Sequence, residues 1–483
     1  MVANIKKSEL IKLAGDQVRD FNAGELKNAG FLPLDGRCFV QMHYPPALYF
    51  PPVTEEEFFD GLDYKPSDPF IVYAHIPFCI NRCIFCHFYI KTGASPEEKD
   101  KYLDTMEKEM DIYLDRLGID KINTSAVNIG GGTPTDMSPA QLERFLVFFT
   151  RRLDLSSCRQ TTWDVDPTTI LGADGMEKLK LMRRYGADRI TIGVQSFNDF
   201  ILKKMNRAHT GRDAVDALKQ AREAGFDNVC IDLIYGYPGQ TLDGWVDEME
   251  TAISLEVDSM QLYRIRVAPI GHWANSIEKW WAKRQNDFPA YDETLIMRRI
   301  GYLMSEMNGY SDRHYTGLYT KKYEGISLYN KAHTAEFFDT IGLGPSSRVL
   351  LKNRLGMNAR GGIETYTSLI NQGRSAIEVG KLTTKEENQI RYLLGPLKFM
   401  REIEKEYYRK MTGVPLDTVF QKKIKMMKDF NLITEDDKKL MLTPRGHFFS
   451  DEVCVQFYQR KYLPFPRSSY AEGEFNPYNG LDS

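Results

Sequence analysis

The chain has 483 residues, 42% hydrophobic and 27% charged, with a formal net charge of −3. That is the make-up of a globular protein too long for one compact core, so two or three units are expected. The near-neutral balance gives no electrostatic reason to bind nucleic acid or an anionic membrane, and no apolar run approaches the roughly 18 residues of a membrane span.

The start, MVANIKKSELIKLAGDQV, is amphipathic and charged, unlike a signal peptide. Residues 1–69 read as a leader: a helical pattern from Ile5 to Phe21, then a stretch punctuated by Pro33, Pro45, Pro46, Pro51 and Pro52. Those prolines predict extended chain laid over another surface rather than a separate domain.

From Phe70 strand and helix patterns alternate. Strands are predicted at Phe70–Ile76, Ala126–Ile129, Thr161–Val165, Arg189–Gly193, Val229–Tyr235 and Met260–Val267. Helices are predicted over 99–117, from Ser138, and over 175–185, 212–224 and 243–255. Gly118 stands where a helix C-cap belongs, and Ser138, Pro139 and Gln141 form a capped helix start. About six βα units imply a parallel sheet with helices outside it and chemistry at the C-terminal ends of the strands. Residues 276–381 are less regular. After Leu382, Thr384 and Glu387 open a new helical pattern that ends in DFNLITEDDKKLMLTPRG, two short strands joined by an acidic turn.

The chemistry-bearing stretch is YAHIPFCINRCIFCHFY, Tyr73 to Tyr89. Cys79, Cys83 and Cys86 stand in CxxxCxxC spacing among aromatics. Three thiolates suit a soft metal centre with one coordination position left over, as in an iron–sulfur cluster. Zinc with His75 or His87 as fourth ligand, or plain buried thiols, fit the same count. The other four cysteines, Cys38, Cys158, Cys230 and Cys454, are scattered and do not form a disulfide framework, which points to a reducing cytoplasm.

This motif, with GGGTP at 130–134, TTWDVDP at 161–167, GVQSF at 193–197, MNRAH at 205–209 and CIDLIYGYPGQT at 230–241, resembles the radical S-adenosylmethionine (SAM) superfamily. Within it, the chain is similar to the oxygen-independent coproporphyrinogen III oxidase-like family, which includes heme chaperones, anaerobic heme-degrading enzymes and class C methylases. The likeness runs from about Phe70 to Ile270, and resumes more weakly at Asp339–Ser347 and after Leu382. It implies an α/β fold: a partial (β/α)6 radical SAM barrel at 70–275, an extension over the open side at 276–381, a winged-helix-like C-terminal domain at 382–460 and a tail at 461–483. It implies a [4Fe–4S] cluster on Cys79, Cys83 and Cys86, which are the catalytic cysteines.

The resemblance implies one or two molecules of SAM. Tyr73, Gly131, Gly132, Thr133, Asp164, Gln195, Arg207 and Asp232 match the family's SAM contacts. Asp164 stands where the family has Glu, one methylene shorter. An Arg at 207 offers a forked pairing with a carboxylate, and a carboxylate at 232 inside an apolar strand needs partners. A second SAM would lie near Ile341–Ser347. Phe88 replaces a cysteine found in coproporphyrinogen oxidases proper, which turns the expectation toward heme chaperones and methylases. His87 is a proton donor beside the cluster or a plain hydrogen-bonding neighbour.

Two functions from different classes follow. One is an oxidoreductase or class C-type methyltransferase that cleaves SAM for C–H chemistry on a tetrapyrrole or similar aromatic substrate, supplied with electrons by a flavodoxin or ferredoxin. The other is a heme chaperone, with His272, His314, His333 or His447 as axial ligand. A zinc-structured winged-helix protein binding DNA is a third, disfavoured by Glu435, Asp436 and Asp437 in the turn. Neither principal reading requires nucleic acid or a membrane span.

Overall fold

A computed structural model describes residues 5–37, 43–267, 276–312 and 316–479. Six strands in chain order build the parallel part: β1 (Phe70–Ile76), β2 (Ile122–Gly131), β3 (Thr161–Val165), β4 (Arg189–Gln195), β5 (Val229–Tyr235) and β6 (Ser259–Arg264). Between them run α2 (Pro96–Leu117), α3 (Pro139–Arg151), α4 (Gly172–Arg184), α5 (Gly211–Glu223) and α6 (Leu242–Ser254), which follow α1 (Lys7–Asp20) of the leader. This is the expected partial (β/α)6 barrel.

The sheet continues beyond it on both sides. Strand β7 (Leu318–Thr320) lies antiparallel to β6, and β8 (Asp339–Leu343) lies parallel to β1. An antiparallel ribbon of β9 (Arg348–Leu351), β10 (Arg354–Asn358) and β11 (Ile377–Leu382) follows, so the order is β7-β6-β5-β4-β3-β2-β1-β8-β9-β10-β11. The stretch that reads as irregular in sequence thus carries strands for both edges. The sixth strand is shorter than predicted and ends at Arg264.

The alternation of side chains makes a two-faced wall. On β1, Phe70, Val72, Ala74 and Ile76 join the core under the helices, while Ile71 and Tyr73 pack on the other face with Ala126 and Tyr329. Ser138 caps α3, with Gln141 completing a capping box, and Leu142, Phe145, Leu146 and Phe149 are buried. Burial of each such side chain stabilises by about 1.5–3 kcal/mol. Gly118 ends α2 in the left-handed conformation, as expected.

A second core holds the C-terminal unit, with α9 (Lys385–Gly395), α10 (Lys405–Thr412) and α11 (Leu416–Asp429) against a small antiparallel sheet. Its strands are β12 (Glu402–Glu404), β13 (Ile433–Glu435) and β14 (Lys439–Leu442), in the order β12-β14-β13. Leader residues Leu26, Phe31, Leu32 and Tyr44 and tail residues Phe465, Tyr470 and Phe475 are buried in that same core. Leader and tail meet directly, Pro33 bridging Tyr470. The tail is therefore an integral part of this unit, because its aromatics fill it. No helix among the described residues is long and apolar enough to cross a membrane.

Candidate functional site

The cysteine loop leaves the C-terminal end of β1. Its two ends are pinned by a short parallel pairing of Phe78–Cys79 with Lys91–Thr92, and by Lys91 N donating to Pro77 O at 2.7 Å. The middle is held by Ile84 N on Met205 O (3.1 Å) and by Asn206 Nδ2 on Arg82 O (2.8 Å). The segment just before Arg207 is thereby tied to the loop.

Each thiol has its own environment. Cys79 Sγ lies 3.6 Å from Thr133 Oγ1, and burial pushes its thiol up to about 12. Arg207 Nη1 donates to Cys83 Sγ at 3.3 Å. Cys86 Sγ faces Phe88 O at 4.0 Å, and burial raises it to about 11. The three thiols act on one another electrostatically, Cys83 and Cys86 both raising Cys79. Yet among the described residues no three Cys, His, Asp or Glu side chains gather tightly enough to hold a single ion. Three nearby but separate thiols suit a multi-iron cluster, in which each thiolate meets its own iron, better than one zinc. His75 is not a fourth ligand: its Nε2 is 2.9 Å from Tyr89 O and its Nδ1 is 3.1 Å from Tyr73 Oη. Burial, with Arg266 nearby, holds His87 far down at about 3, so it is neutral.

The glycine turn after β2 is a packing device first. Gly131 has φ of 108°, and a Cβ there would lie 2.5 Å from His75 Nδ1. A Cβ on Gly132 would lie 2.6 Å from Pro77 backbone. Gly132 N and Thr133 N donate to Ile76 O (2.8 Å) and Phe78 O (2.7 Å), so these two amides hold the cysteine loop and are not free to hold a ligand.

Arg207 is the hub. Its Nη2 pairs with Asp166 Oδ2 and Gly193 O, each at 2.6 Å, while its buried Nε has no partner among the described residues. That pairing, with two hydrogen bonds from Thr168, keeps the Asp166 carboxyl below its usual value despite burial. Gln195 ends β4 in a left-handed conformation (φ 66°), with Nε2 2.9 Å from where a Gly193 Cβ would stand.

Farther down the lumen sit Tyr73, Asp164 and Asp232, one on each of β1, β3 and β5. Tyr73 and Asp232 are each the one partly exposed residue in an otherwise buried strand, and Asp164 shares that exposure with Thr161 at the strand's start. Tyr73 and Asp232 lie mid-strand rather than at the strand ends. Asp164 accepts from Asn128 Nδ2 at 3.3 Å and burial raises it to about 6. Burial, then repulsion from Asp164, raises Asp232 to about 8. Among the described residues nothing hydrogen-bonds Asp232, so its oxygens are left for a ligand. Pairwise contacts and charge interactions thus link Cys79 to Thr133, Cys83 to Arg207, Tyr73 to His75 and Asp164, and Asp164 and Arg207 to Asp232.

Sequence reasoning passed over Asn128, Gly193 and Tyr329. Tyr329 is on α8 (Leu328–Thr334) and lies 6.2 Å from Tyr73, ring to ring. A short helix after the glycine-poor stretch 318–327 carries no motif that marks it as lumen-facing.

Of the histidines considered for heme, His272 and His314 lie outside the described residues, as does Cys38. His333 is buried, with Nδ1 2.8 Å from Thr340 Oγ1 and Nε2 2.9 Å from His43 Nδ1. His447 is held neutral by burial and nearby arginines, with Nε2 3.1 Å from Asp312 Oδ2.

Comparison with known proteins agrees with this geometry. Residues 73–252 match the Radical SAM superfamily. The chain is 29% identical over 389 residues to the heme chaperone HemW of Bacillus subtilis, spanning 80% of this chain and 98% of that protein. It is 25% identical over 424 residues to the oxygen-independent coproporphyrinogen III oxidase of Escherichia coli, spanning 86% of this chain and 91% of that protein. The solved structure of coproporphyrinogen III oxidase (HemN) from Escherichia coli superposes with a TM-score of 0.74 at 22% identity, covering 86% of this chain and 96% of that one, which shows a shared fold. The expectation of a methyltransferase finds no support in these comparisons.

Proposed function

From a chain that carries a radical SAM domain, and is related to heme chaperones and coproporphyrinogen III oxidases, we propose an enzyme that reductively cleaves SAM to a 5′-deoxyadenosyl radical for C–H chemistry on a tetrapyrrole-type substrate. The observation that supports this reading is that Cys79, Cys83 and Cys86 lie within electrostatic reach of one another, with Cys83 bonded to an Arg207 that also acts on Asp232, itself within reach of Asp164. The domain takes a [4Fe–4S] cluster and SAM, and the residues fit both. Three separate thiols match the cluster, and the orphaned Arg207 Nε and the unpartnered Asp232 are polar groups in want of a ligand.

When bound, the cluster supplies the single low-potential electron that a sulfonium needs for reductive cleavage. Arg207 fixes Cys83 Sγ through Nη1 while its Nη2 is paired with Asp166. Asp232 accepts from a ribose hydroxyl, and Asp164 acts from the neighbouring wall. Tyr73, held by His75, closes the side of the lumen. Ile80 and Phe88, 50% and 58% exposed, flank the cysteines on the outside, an apolar rim suited to a substrate or to an electron-donor protein of the flavodoxin or ferredoxin type. Six unpaired cysteines among the described residues suit a reducing cytoplasm.

Anaerobic incubation with SAM and a strong reductant tests the reading. Formation of 5′-deoxyadenosine is the expected result, and none under any reductant removes the catalytic claim.

Heme carriage on the same scaffold is the second reading, favoured by the likeness to HemW over nearly all of that protein's length. Here the structure is demanding: both ring nitrogens of His333 are engaged internally, and His447 faces Asp312. Carriage through His333 requires it to release His43. A heme titration whose Soret change is lost in His333→Ala supports this reading, and a flat titration removes it.

A further inference from the structure

Below Tyr329 a cavity of about 50 Å³ lies at the seam between the leader, α8, the β9–β10 ribbon and α9. That is room for a few waters or one small oxyanion. Its polar wall is strongly cationic: Arg348 from β9, Arg391 from α9 and Lys398, beside the hydrogen-bonded pair His43 and His333.

The acids around it are already committed. Lys398 pairs with Asp451 at 2.5 Å. Asp339, which attracts Arg391, accepts from Tyr64 Oη at 2.6 Å and from Lys352 N at 2.8 Å. Glu387 on the same helix as Arg391 is taken by Lys381 and Tyr462. Arg391 is only 6% exposed and lies over the rings of Phe337 and Tyr392. Among the described residues, neither Arg391 nor Arg348 has a carboxylate or hydrogen-bond partner for its guanidinium. The two histidines are neutral and offer no compensation.

A buried and a half-buried guanidinium that share a cavity with no carboxylate paired to either among the described residues are costly, and each presents a fork that matches an oxyanion. We propose that this cavity is an oxyanion site, in which a small phosphate- or carboxylate-bearing molecule is held between Arg348 and Arg391. Such a ligand ties the leader at His43–Phe50 to the ribbon and to the C-terminal unit. Burial alone depresses both arginines, Arg348 to about 10, and a bound anion would restore them. The site rests on residues outside the cysteine loop and does not depend on the reaction proposed above.

The test titrates the full-length protein, without SAM, with inorganic phosphate and separately with malonate, against chloride at matched ionic strength. Binding is read by calorimetry and by thermal midpoint. The expected result is saturable binding and a raised midpoint with at least one oxyanion, and the arm that responds identifies the phosphate or the carboxylate source. Arg348→Gln weakens that binding about tenfold or more, and Arg391→Lys, which keeps the charge but loses the fork, weakens it less. In buffer without oxyanion, Arg348→Gln is at least as stable as the wild type, because an uncompensated cation is gone. If neither anion binds saturably beyond chloride, or if Arg348→Gln binds as tightly as the wild type, the proposal is wrong.

Discussion

Arg207 Nη1 donates to Cys83 Sγ across 3.3 Å, joining residues 124 positions apart in sequence. The same guanidinium reaches Asp166 and Gly193 O through Nη2. One planar group therefore sets the middle cysteine relative to two strand ends. A lysine carries its three donors on one nitrogen and cannot span acceptors that Arg207 reaches from two.

Arg207→Lys should accordingly keep the fold but lower 5′-deoxyadenosine formation about 10- to 100-fold, the usual effect of removing a group that orients a metal ligand. The rate of SAM cleavage per cluster, with iron content measured alongside, checks this. An unchanged rate would show that the fork is dispensable.

The lumen carboxylates predict a pH dependence of stability. Asp164 and Asp232 are raised in the folded protein from 3.8 to about 6 and about 8. A folded-state pKa above the unfolded one means that the folded form binds the proton more tightly. The contribution is fully present below the unfolded value and is lost as pH rises through the folded one. Above the range in which the six histidines lowered by burial oppose this trend, from about pH 7 to about 9, the urea midpoint of the cluster-free protein should fall, and Asp232→Asn should flatten part of that fall. Glu248, raised to about 7, leaves a residual slope in the variant.

Much of this arrangement was legible in the sequence. Strands 70–76, 161–165 and 229–235 were found to the residue because apolar runs rich in β-branched residues end at polar or glycine positions. The cysteine loop, Arg207 and Asp232 were legible through their motifs. The β9–β10 ribbon was not: Arg348, Lys352 and Arg354 break its apolar pattern, and its turn places Lys352 at φ 56° without a glycine to announce it. The dual use of the glycine turn was equally hidden, since a GGG run does not say whether its amides face a ligand or, as here, Ile76 and Phe78. Nor does the sequence show that Asp232 lacks a hydrogen-bond partner among the described residues, because that depends on which side chains the other strands turn inward.

Gly131 is predicted to be intolerant of even one methyl group. At φ 108° an alanine is strained, and its Cβ would stand 2.5 Å from His75 Nδ1. Gly131→Ala should destabilise by about 2 kcal/mol or more and should loosen the Tyr73–His75 contact. Chemical denaturation reads the first effect, and SAM affinity of the folded fraction reads the second.

Glu109 on α2 tests the buried polar network that links the helix layer to β8. Its carboxylate accepts from Gly344 N, Tyr366 Oη and Asn358 Nδ2, each at 2.7 Å, while burial pushes it up to about 8. All three neighbours donate, so an amide there would set a donor against donors. Glu109→Gln should cost about 1–3 kcal/mol, with the loss largest below about pH 5 and shrinking as pH rises through about 8, because a carboxyl raised on folding gives up stability as it ionises. A denaturation midpoint equal to that of the wild type would contradict this account of the network.

The most direct measurement is iron and sulfide content of anaerobically reconstituted protein, coupled to a 5′-deoxyadenosine assay, for the wild type and for Cys83→Ala. Four irons with SAM cleavage in the wild type, and loss of cleavage in Cys83→Ala, is the predicted result. A protein that takes up no cluster, or one that cleaves SAM equally well without Cys83, would contradict the claim that Cys79, Cys83 and Cys86 form the centre of a radical SAM site.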